Sequence, residues 1–211
     1  MQKSLFDTTN VELNVLTKDG QVIYRPNFFD ETQSVSLFDT LRATLDWQAD
    51  QLIMFGQKIT TSRKIAWVAD PDCPYTYSGI RKAPQPWTAE LLMIKERLEQ
   101  TCGSRFNACL LNLYHNGSEG MGWHSDDETE LERGAPIASL SLGGTRKFAF
   151  RHRLDKTTTS VFLENGSLLI MHAPTQQFWH HSLLKTKTAV APRINLTFRK
   201  IIPGGRETSV R

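Results

Sequence analysis

The spacing of apolar positions changes near Gly103. Before it, Leu37, Leu41 and Leu45 recur every four residues within 36–47. Trp87, Leu91, Ile94 and Leu98 form a second stripe, with Lys95, Glu96, Arg97 and Glu99 largely off it. Apolar residues three and four apart share one helix face. Helices are therefore predicted over 36–47 and from Pro86, whose fixed φ suits a first turn. Val22-Ile23-Tyr24 predicts a short strand ending at Pro26, after a turn at Asp19-Gly20. Ile53-Met54-Phe55-Gly56 is an apolar cluster closed by glycine, and 60–83 is a Pro-, Gly- and Tyr-rich stretch.

After Gly103, short apolar runs alternate with turn signals at 107–114, 136–142, 146–152, 160–163, 167–171, 178–184 and 193–202. Their β-branched and aromatic residues predict an antiparallel sandwich or barrel. Two runs can be divided into faces, because side chains alternate along a strand. Arg193, Asn195, Thr197 and Arg199 share one side, and Ile194, Leu196 and Phe198 the other. Leu110, Asn112 and Tyr114 oppose Cys109, Leu111 and Leu113. A half-buried outer strand would wet its polar side; a strand lining an anion-binding pocket would turn it inward. The fold class expected is α+β, an N-terminal half with helices packed around a C-terminal all-β core.

Composition narrows this picture modestly. The 211 residues fit one domain, and 39% hydrophobic with 22% charged residues suits a soluble globular chain. No apolar run approaches the ~18 residues of a membrane span. The start, MQKSLFDTTNVELN, lacks the apolar core of a signal peptide. Cys73, Cys102 and Cys109 are an odd count without CxxC spacing, which reads as reduced thiols in a cytosol-like compartment. The protein is thus expected to be cytoplasmic (nuclear in a eukaryote), not secreted, and a monomer. A net charge of +3 permits an anionic partner without choosing one.

The candidate chemistry lies in NLYHNGSEGMGWHSDD, residues 112–127. His124 and Asp126, two apart on an extended segment, can aim at one ion. Two His and one carboxylate form the ligand set of non-haem iron(II) sites with open positions for oxygen chemistry. A loop imidazole bonded to a neighbouring carboxylate is the plainer alternative. The second imidazole could be His115, His152, His172, His180 or His181, and spacing alone does not choose. Arg193 and Arg199 could pair bidentately with a carboxylate co-substrate; as plain strand-end charges they would sit in water. Met54 and Phe55 before Gly56 could wedge into a base stack, and Tyr75 and Tyr77 could stack on a nucleobase. Ordinary core packing is the commoner fate of such residues. Arg146, Lys147, Arg151, Arg153, Lys156, Lys185 and Lys187 could meet phosphates or simply be solvated.

Four blocks in this order, NLYHNGSEGMGWHSDDE, PIASLSLGGTRKFAFRH, NGSLLIMHAPTQQFWHHSL and APRINLTFRKI, resemble the AlkB-like iron(II)/2-oxoglutarate-dependent dioxygenases over roughly residues 50–202. The similarity is greatest to the branch that repairs alkylated bases in DNA. The resemblance implies a double-stranded β-helix, or jelly roll, with an N-terminal helical and nucleotide-recognition lid extension. It divides the single domain 1–211 into an extension (1–105), a catalytic core (106–202) and a flexible tail (203–211). It implies His124, Asp126 and His181 as iron ligands, and Asn112, Tyr114, Arg193, Asn195 and Arg199 as 2-oxoglutarate contacts. Asp127 and Glu128 match acidic positions near the target base, with Asp127 favoured as its reader. Tyr75 and Tyr77 match lid aromatics, Arg63 a basic residue beside the flipped base, and Met54-Phe55-Gly56 a hydrophobic finger.

The implied reaction is oxidative demethylation of 1-methyladenine or 3-methylcytosine, using Fe(II), 2-oxoglutarate and O2 and releasing succinate, CO2 and formaldehyde. Alkylated DNA, single- or double-stranded, is the implied partner, with RNA as a further one. Two features depart from the pattern: Met54 stands where valine is usual, and 151–160 is shorter than the loop that grips the complementary strand. The alternative is a 2-oxoglutarate oxygenase acting on RNA, protein or a small molecule.

Overall fold

Period-two segments become strands and period-four stripes become helices. A computed structural model describes residues 14–54, 57–73, 75–77 and 80–202. The order is β1 (Gln21–Arg25), α1 (Glu31–Thr44), β2 (Gln48–Met54), β3 (Gln57–Ala69), β4 (Tyr75–Tyr77), β5 (Ile80–Lys82), α2 (Ala89–Cys102), β6 (Ala108–Tyr114), β7 (Met121–His124), β8 (Ile137–Gly143), β9 (Arg146–His152), β10 (Thr158–Leu163), β11 (Ser167–His172), α3 (Thr175–Phe178), β12 (Trp179–Leu183) and β13 (Arg193–Arg199).

The helix boundaries differ from those expected. Helix α1 starts at Glu31, ahead of the predicted 36, because Asp30 forms a capping box with Gln33. Its first turn is polar and leaves no mark on an apolar stripe. It ends at Thr44, and Trp47 folds back so that its indole N–H donates to the Leu41 and Arg42 carbonyls. Helix α2 starts at Ala89 and not at Pro86, with the Thr88 hydroxyl accepting from the Leu91 N–H. Its C-terminus stops at Gly103, whose φ of 62° is the left-handed cap conformation.

Two sheets face each other. The larger has the order β1-β11-β8-β13-β6-β3-β2, and the smaller β10-β9-β12-β7; β4 and β5 pair apart from both. The long strand β3 occupies the first part of the Pro-, Gly- and Tyr-rich stretch 60–83, for which no strand was predicted. Its Lys64–Ala69 half is zipped antiparallel to β6. Strands from both sides of residue 105 therefore share one sheet.

Helices α1 and α2 cover the outer face of that sheet. Leu41, Leu91, Ile94 and Leu98, each 0% exposed, pack with Cys109, Leu111, Leu140, Ile194, Leu196 and Phe198. Each such side chain contributes roughly 2 kcal/mol. That exceeds the tenths of a kcal/mol separating helix propensities, so packing holds these helices in place. Between the sheets, one end is filled by Val22, Ile137, Phe150, Leu169, Met171 and Trp179. Ile65, Trp67, Ala108 and Leu110 form a further apolar cluster on the same face of β3 and β6 as Asn112, and the polar positions of this inner face hold the candidate chemistry. Among the described residues, no helix is long and apolar enough to cross a membrane.

Candidate metal and co-substrate centre

The turn between β6 and β7 is built for close approach. A Cβ on Gly117 would lie 2.6 Å from the Thr186 carbonyl oxygen, and one on Gly120 2.6 Å from that of Leu183. Glycine lets these backbones touch. The contact lays β7 beside β12, with His124 directly opposite His181. Opposed residues on paired strands present neighbouring side chains, and the two Nε2 atoms are 3.2 Å apart. Asp126, two residues on, has carboxylate oxygens 3.9 Å from each imidazole nitrogen. Cis ligands at ~2.1 Å from one metal stand about 3 Å apart, so the spacing suits one cation after slight contraction.

The geometry separates the five candidate imidazoles. His181 points between the sheets at 3% exposure. His180 points the other way, against the Ser125 hydroxyl and the Arg153 guanidinium. His115 is held by Glu119, His152 by Asp155 and Asp19, and His172 lies opposite Gln21 at the end of β11.

Protonation favours ligation. His124 Nδ1 lies 2.8 Å from the Gly122 carbonyl, which can only accept, so in the neutral tautomer Nδ1 carries the hydrogen and Nε2 is left as the metal-facing donor atom. Burial pushes His181 down to about 3, outweighing the pull of Asp126, so its imidazole is neutral at physiological pH. Burial alone would raise the Asp126 carboxyl, but Arg199, His181 and His124 bring it below its ordinary value. Arg199 Nη2 donates to Asp126 Oδ1 at 2.7 Å, and its Nη1 to Glu128 at 3.1 Å.

Beside this cluster, β13 and β6 turn their polar faces inward. Arg193 stands opposite Tyr114, and Asn195 opposite Asn112. Arg193 is 2% exposed and donates to the Ser141 hydroxyl at 2.8 Å and the Asn195 side-chain oxygen at 2.7 Å. Its Nε and the Asn112 Oδ1 are buried without a hydrogen-bond partner among the described residues. Burial lowers the Arg193 guanidinium to about 10, leaving it charged. A buried cation held by neutral oxygens calls for an anion. The donor set and the unpaired Arg193 Nε–H therefore fit iron(II) and a dicarboxylate.

Other expected residues lie farther out or elsewhere. Arg63 is 6% exposed on β3, and its Nη1 is 3.1 Å from Met121 Sδ, three residues before His124. The Asp127 side chain is 61% exposed and 3.6 Å from Arg153, whereas Glu128 is tied through Arg199 to Asp126. Met54 ends β2 and Tyr75 and Tyr77 lie in β4; Phe55 and Gly56 lie outside the described residues. Sequence reasoning missed Gln176, whose Oε1 accepts the Asp126 N–H at 3.0 Å, and Ser182, whose hydroxyl ties β12 to the Met121 carbonyl. It also missed Ser139 and Ser141, although the alternation in IASLSLG puts both serines on one face.

Comparison with known proteins agrees with this architecture. The profile of the 2OG-Fe(II) oxygenase superfamily matches residues 21–199. DNA oxidative demethylase ALKBH2 of Mus musculus is 39% identical over 186 residues, covering 83% of this chain and 78% of that one. Alpha-ketoglutarate-dependent dioxygenase alkB homolog 3 of Bos taurus is 38% identical over 197 residues, covering 89% and 68%. The solved structure of OsALKBH1 shares the fold, with a TM-score of 0.61 at 19% identity over 85% of this chain and 96% of that one. A profile match spanning most of the jelly roll, with relatives this similar, places the chain in the 2OG-Fe(II) oxygenase superfamily, enzymes that depend on iron(II) and 2-oxoglutarate.

Proposed function

We propose that this oxygenase removes methyl groups from N-alkylated bases, such as 1-methyladenine and 3-methylcytosine, in DNA. His124, Asp126 and His181 would hold iron(II); Arg193, with Tyr114, would pair with the distal carboxylate of 2-oxoglutarate. Asn195 and Ser141 hold the Arg193 guanidinium in place, and Asn112, opposite Asn195, would donate its side-chain amide N–H to the co-substrate. Arg199 orients the Asp126 carboxylate and stands next to the chelating end of the co-substrate. When bound, iron and 2-oxoglutarate supply oxidation of the N-methyl carbon by O2, with succinate and CO2 as co-products. The hydroxylated methyl then leaves as formaldehyde, restoring the base.

The observation that carries this reading is the 3.2 Å approach of His124 and His181 beside Asp126. The DNA substrate is supported by the relatives named DNA oxidative demethylase, at 32% to 39% identity. A methylated base can reach a buried metal only by leaving the stack, and a lesion that pairs poorly flips at lower cost. From the extension 1–105, Arg63, Tyr75, Tyr77 and the finger Met54-Phe55-Gly56 would receive that base, while the core 106–202 would supply the metal and co-substrate residues. The protein would act as an intracellular monomer.

The test is mass spectrometry of methylated single- and double-stranded DNA and RNA oligonucleotides with iron(II), 2-oxoglutarate and ascorbate. Loss of about 14 mass units (CH2) at each repaired lesion is expected in DNA, with an equal amount of formaldehyde released. Metal-free reactions should be silent. Turnover of 2-oxoglutarate with every oligonucleotide unchanged would point to a protein or small-molecule substrate.

A further inference from the structure

Arg146, at the start of β9, carries a charge that the functional reading does not use. It is 2% exposed. Its Nη1 donates to the Asn116 carbonyl at 3.2 Å, and its Nη2 to those of Glu119 and Leu184, both at 2.7 Å. The Gly117 carbonyl stands at 3.5 Å. Nε is buried with no hydrogen-bond partner among the described residues. Burial lowers the Arg146 guanidinium below its ordinary value, and the Glu119 carboxylate, bonded to His115, favours the charged form only through space. Carbonyl dipoles satisfy these N–H groups, but they do not cancel a full charge.

Arg146 and Arg193 share a neighbour. Their guanidinium carbons lie 6.0 and 5.6 Å from the centroid of the Tyr114 ring. Two buried cations around one phenol repel each other, and an anion joining them relieves that cost. Arg146 in fact contributes to depressing the Arg193 guanidinium.

We infer that Arg146 is a positioning residue that adds a second positive charge at the distal-carboxylate end of the co-substrate pocket, making the pocket selective for dicarboxylates. The inference rests on the proposed role of Arg193. Its rival is a purely mechanical role, in which the carbonyl contacts merely clamp the 116–119 turn against Leu184. The two differ in what they predict for ligands with and without a distal charge.

The test measures anaerobic binding by calorimetry, with Mn(II) as a redox-silent metal, to the full chain and to R146M, R146K and R193M. The ligands are 2-oxoglutarate and 2-oxopentanoate, which keeps the keto acid and lacks the distal carboxylate. R146M should bind 2-oxoglutarate about tenfold more weakly, with 2-oxopentanoate and Mn(II) affinities unchanged. R146K should retain most of the selectivity, because the charge survives although the carbonyl contacts are disrupted. Should R146M fail to fold, R146Q and R146K decide: selectivity lost in the first and kept in the second supports the inference. Equal weakening of both ligands in R146M and R146K, or unchanged 2-oxoglutarate affinity in R146M, overturns it. If R193M also binds the two ligands with unchanged preference, the reading of Arg193 falls and takes the inference with it. Discrimination lost in R193M alone overturns the inference and leaves that reading intact.

Discussion

Arg199 Nη2 stands 2.7 Å from Asp126 Oδ1, so the residue that ends β13 grips a proposed metal ligand from the opposite sheet. The two side chains are 6% and 4% exposed. Deleting one partner of such a pair leaves the other charged and buried, at a cost of about 3–5 kcal/mol. Arg199→Met should therefore lower the stability of metal-free protein by that order and weaken Mn(II) binding. Arg199→Lys should recover part of the stability, but an ammonium cannot copy the fork that reaches Asp126 and Glu128 together. Urea unfolding and metal titration check both. A methionine variant as stable as the parent would show that the pair adds nothing.

The same cluster sets a pH dependence. The folded His181 titrates near 3, against an ordinary value of 6.5, so below 6.5 the unfolded chain takes up a proton that the folded chain refuses. Asp126 is also depressed, so its protonation likewise favours unfolding as pH falls below its ordinary value of 3.8. Both contributions are present at neutral pH and are lost on acidification. Metal-free protein should lose stability progressively from about pH 6.5 downward. His181→Gln should flatten the upper part of that curve, between pH 6.5 and pH 5. An unchanged slope in that variant would assign the acid lability to other groups.

The period-two reading of 193–199 placed its residues correctly because a strand buried on both faces shows its chemistry in alternation. Ile194, Leu196 and Phe198 meet α1 and α2, while Arg193 and Asn195 line the site. The choice among imidazoles was legible from the family resemblance but not from spacing. It depends on β7 and β12 aligning His124 with His181, a contact across 57 residues fixed by the glycine turn. Strand β3 was missed because its first half, QKITTS, is polar and pairs with β2, while IAWVA alone reads as a short buried run. Capping residues such as Asp30 were local signals left unread.

Gln176 tests how far the support of the site extends. Its side-chain oxygen accepts the Asp126 N–H, and its amide N–H lies 3.4 Å from Met171 Sδ. Outer groups that fix a ligand are commonly worth 10–100-fold in metal affinity. Gln176→Leu should weaken Mn(II) binding by about tenfold while leaving the melting temperature of metal-free protein near the parent value. Unchanged metal affinity would make the contact incidental to the site.

The cysteines should divide by burial. Burial first, then Asp72, pushes the Cys73 thiol up to about 11, and burial raises Cys109 well above its ordinary value. Cys102 is half-buried at the end of α2. Iodoacetamide at pH 8 should label Cys102 in the native protein, and all three thiols after denaturation. Rapid native labelling of Cys109 would mean that β6 opens.

The last prediction concerns which acid reads the lesion. Sequence resemblance favoured Asp127, but its carboxylate is 61% exposed and faces Arg153. Glu128 is 43% exposed and shares Arg199 with Asp126, which places it at the lip of the metal centre. A methyl on the Watson–Crick edge makes the base cationic, so a carboxylate there favours the lesion over the normal base. A hydrogen bond to a charged group contributes about 1.5–3 kcal/mol. Glu128→Gln should therefore reduce the preference for methylated over unmethylated oligonucleotide by at least about tenfold, and Asp127→Asn should leave it near the parent value. Competition binding with both oligonucleotides measures the ratio directly. The reverse ranking would return the role to Asp127, and equal loss of both ligands in either variant would mean that charge is not what distinguishes the damaged base.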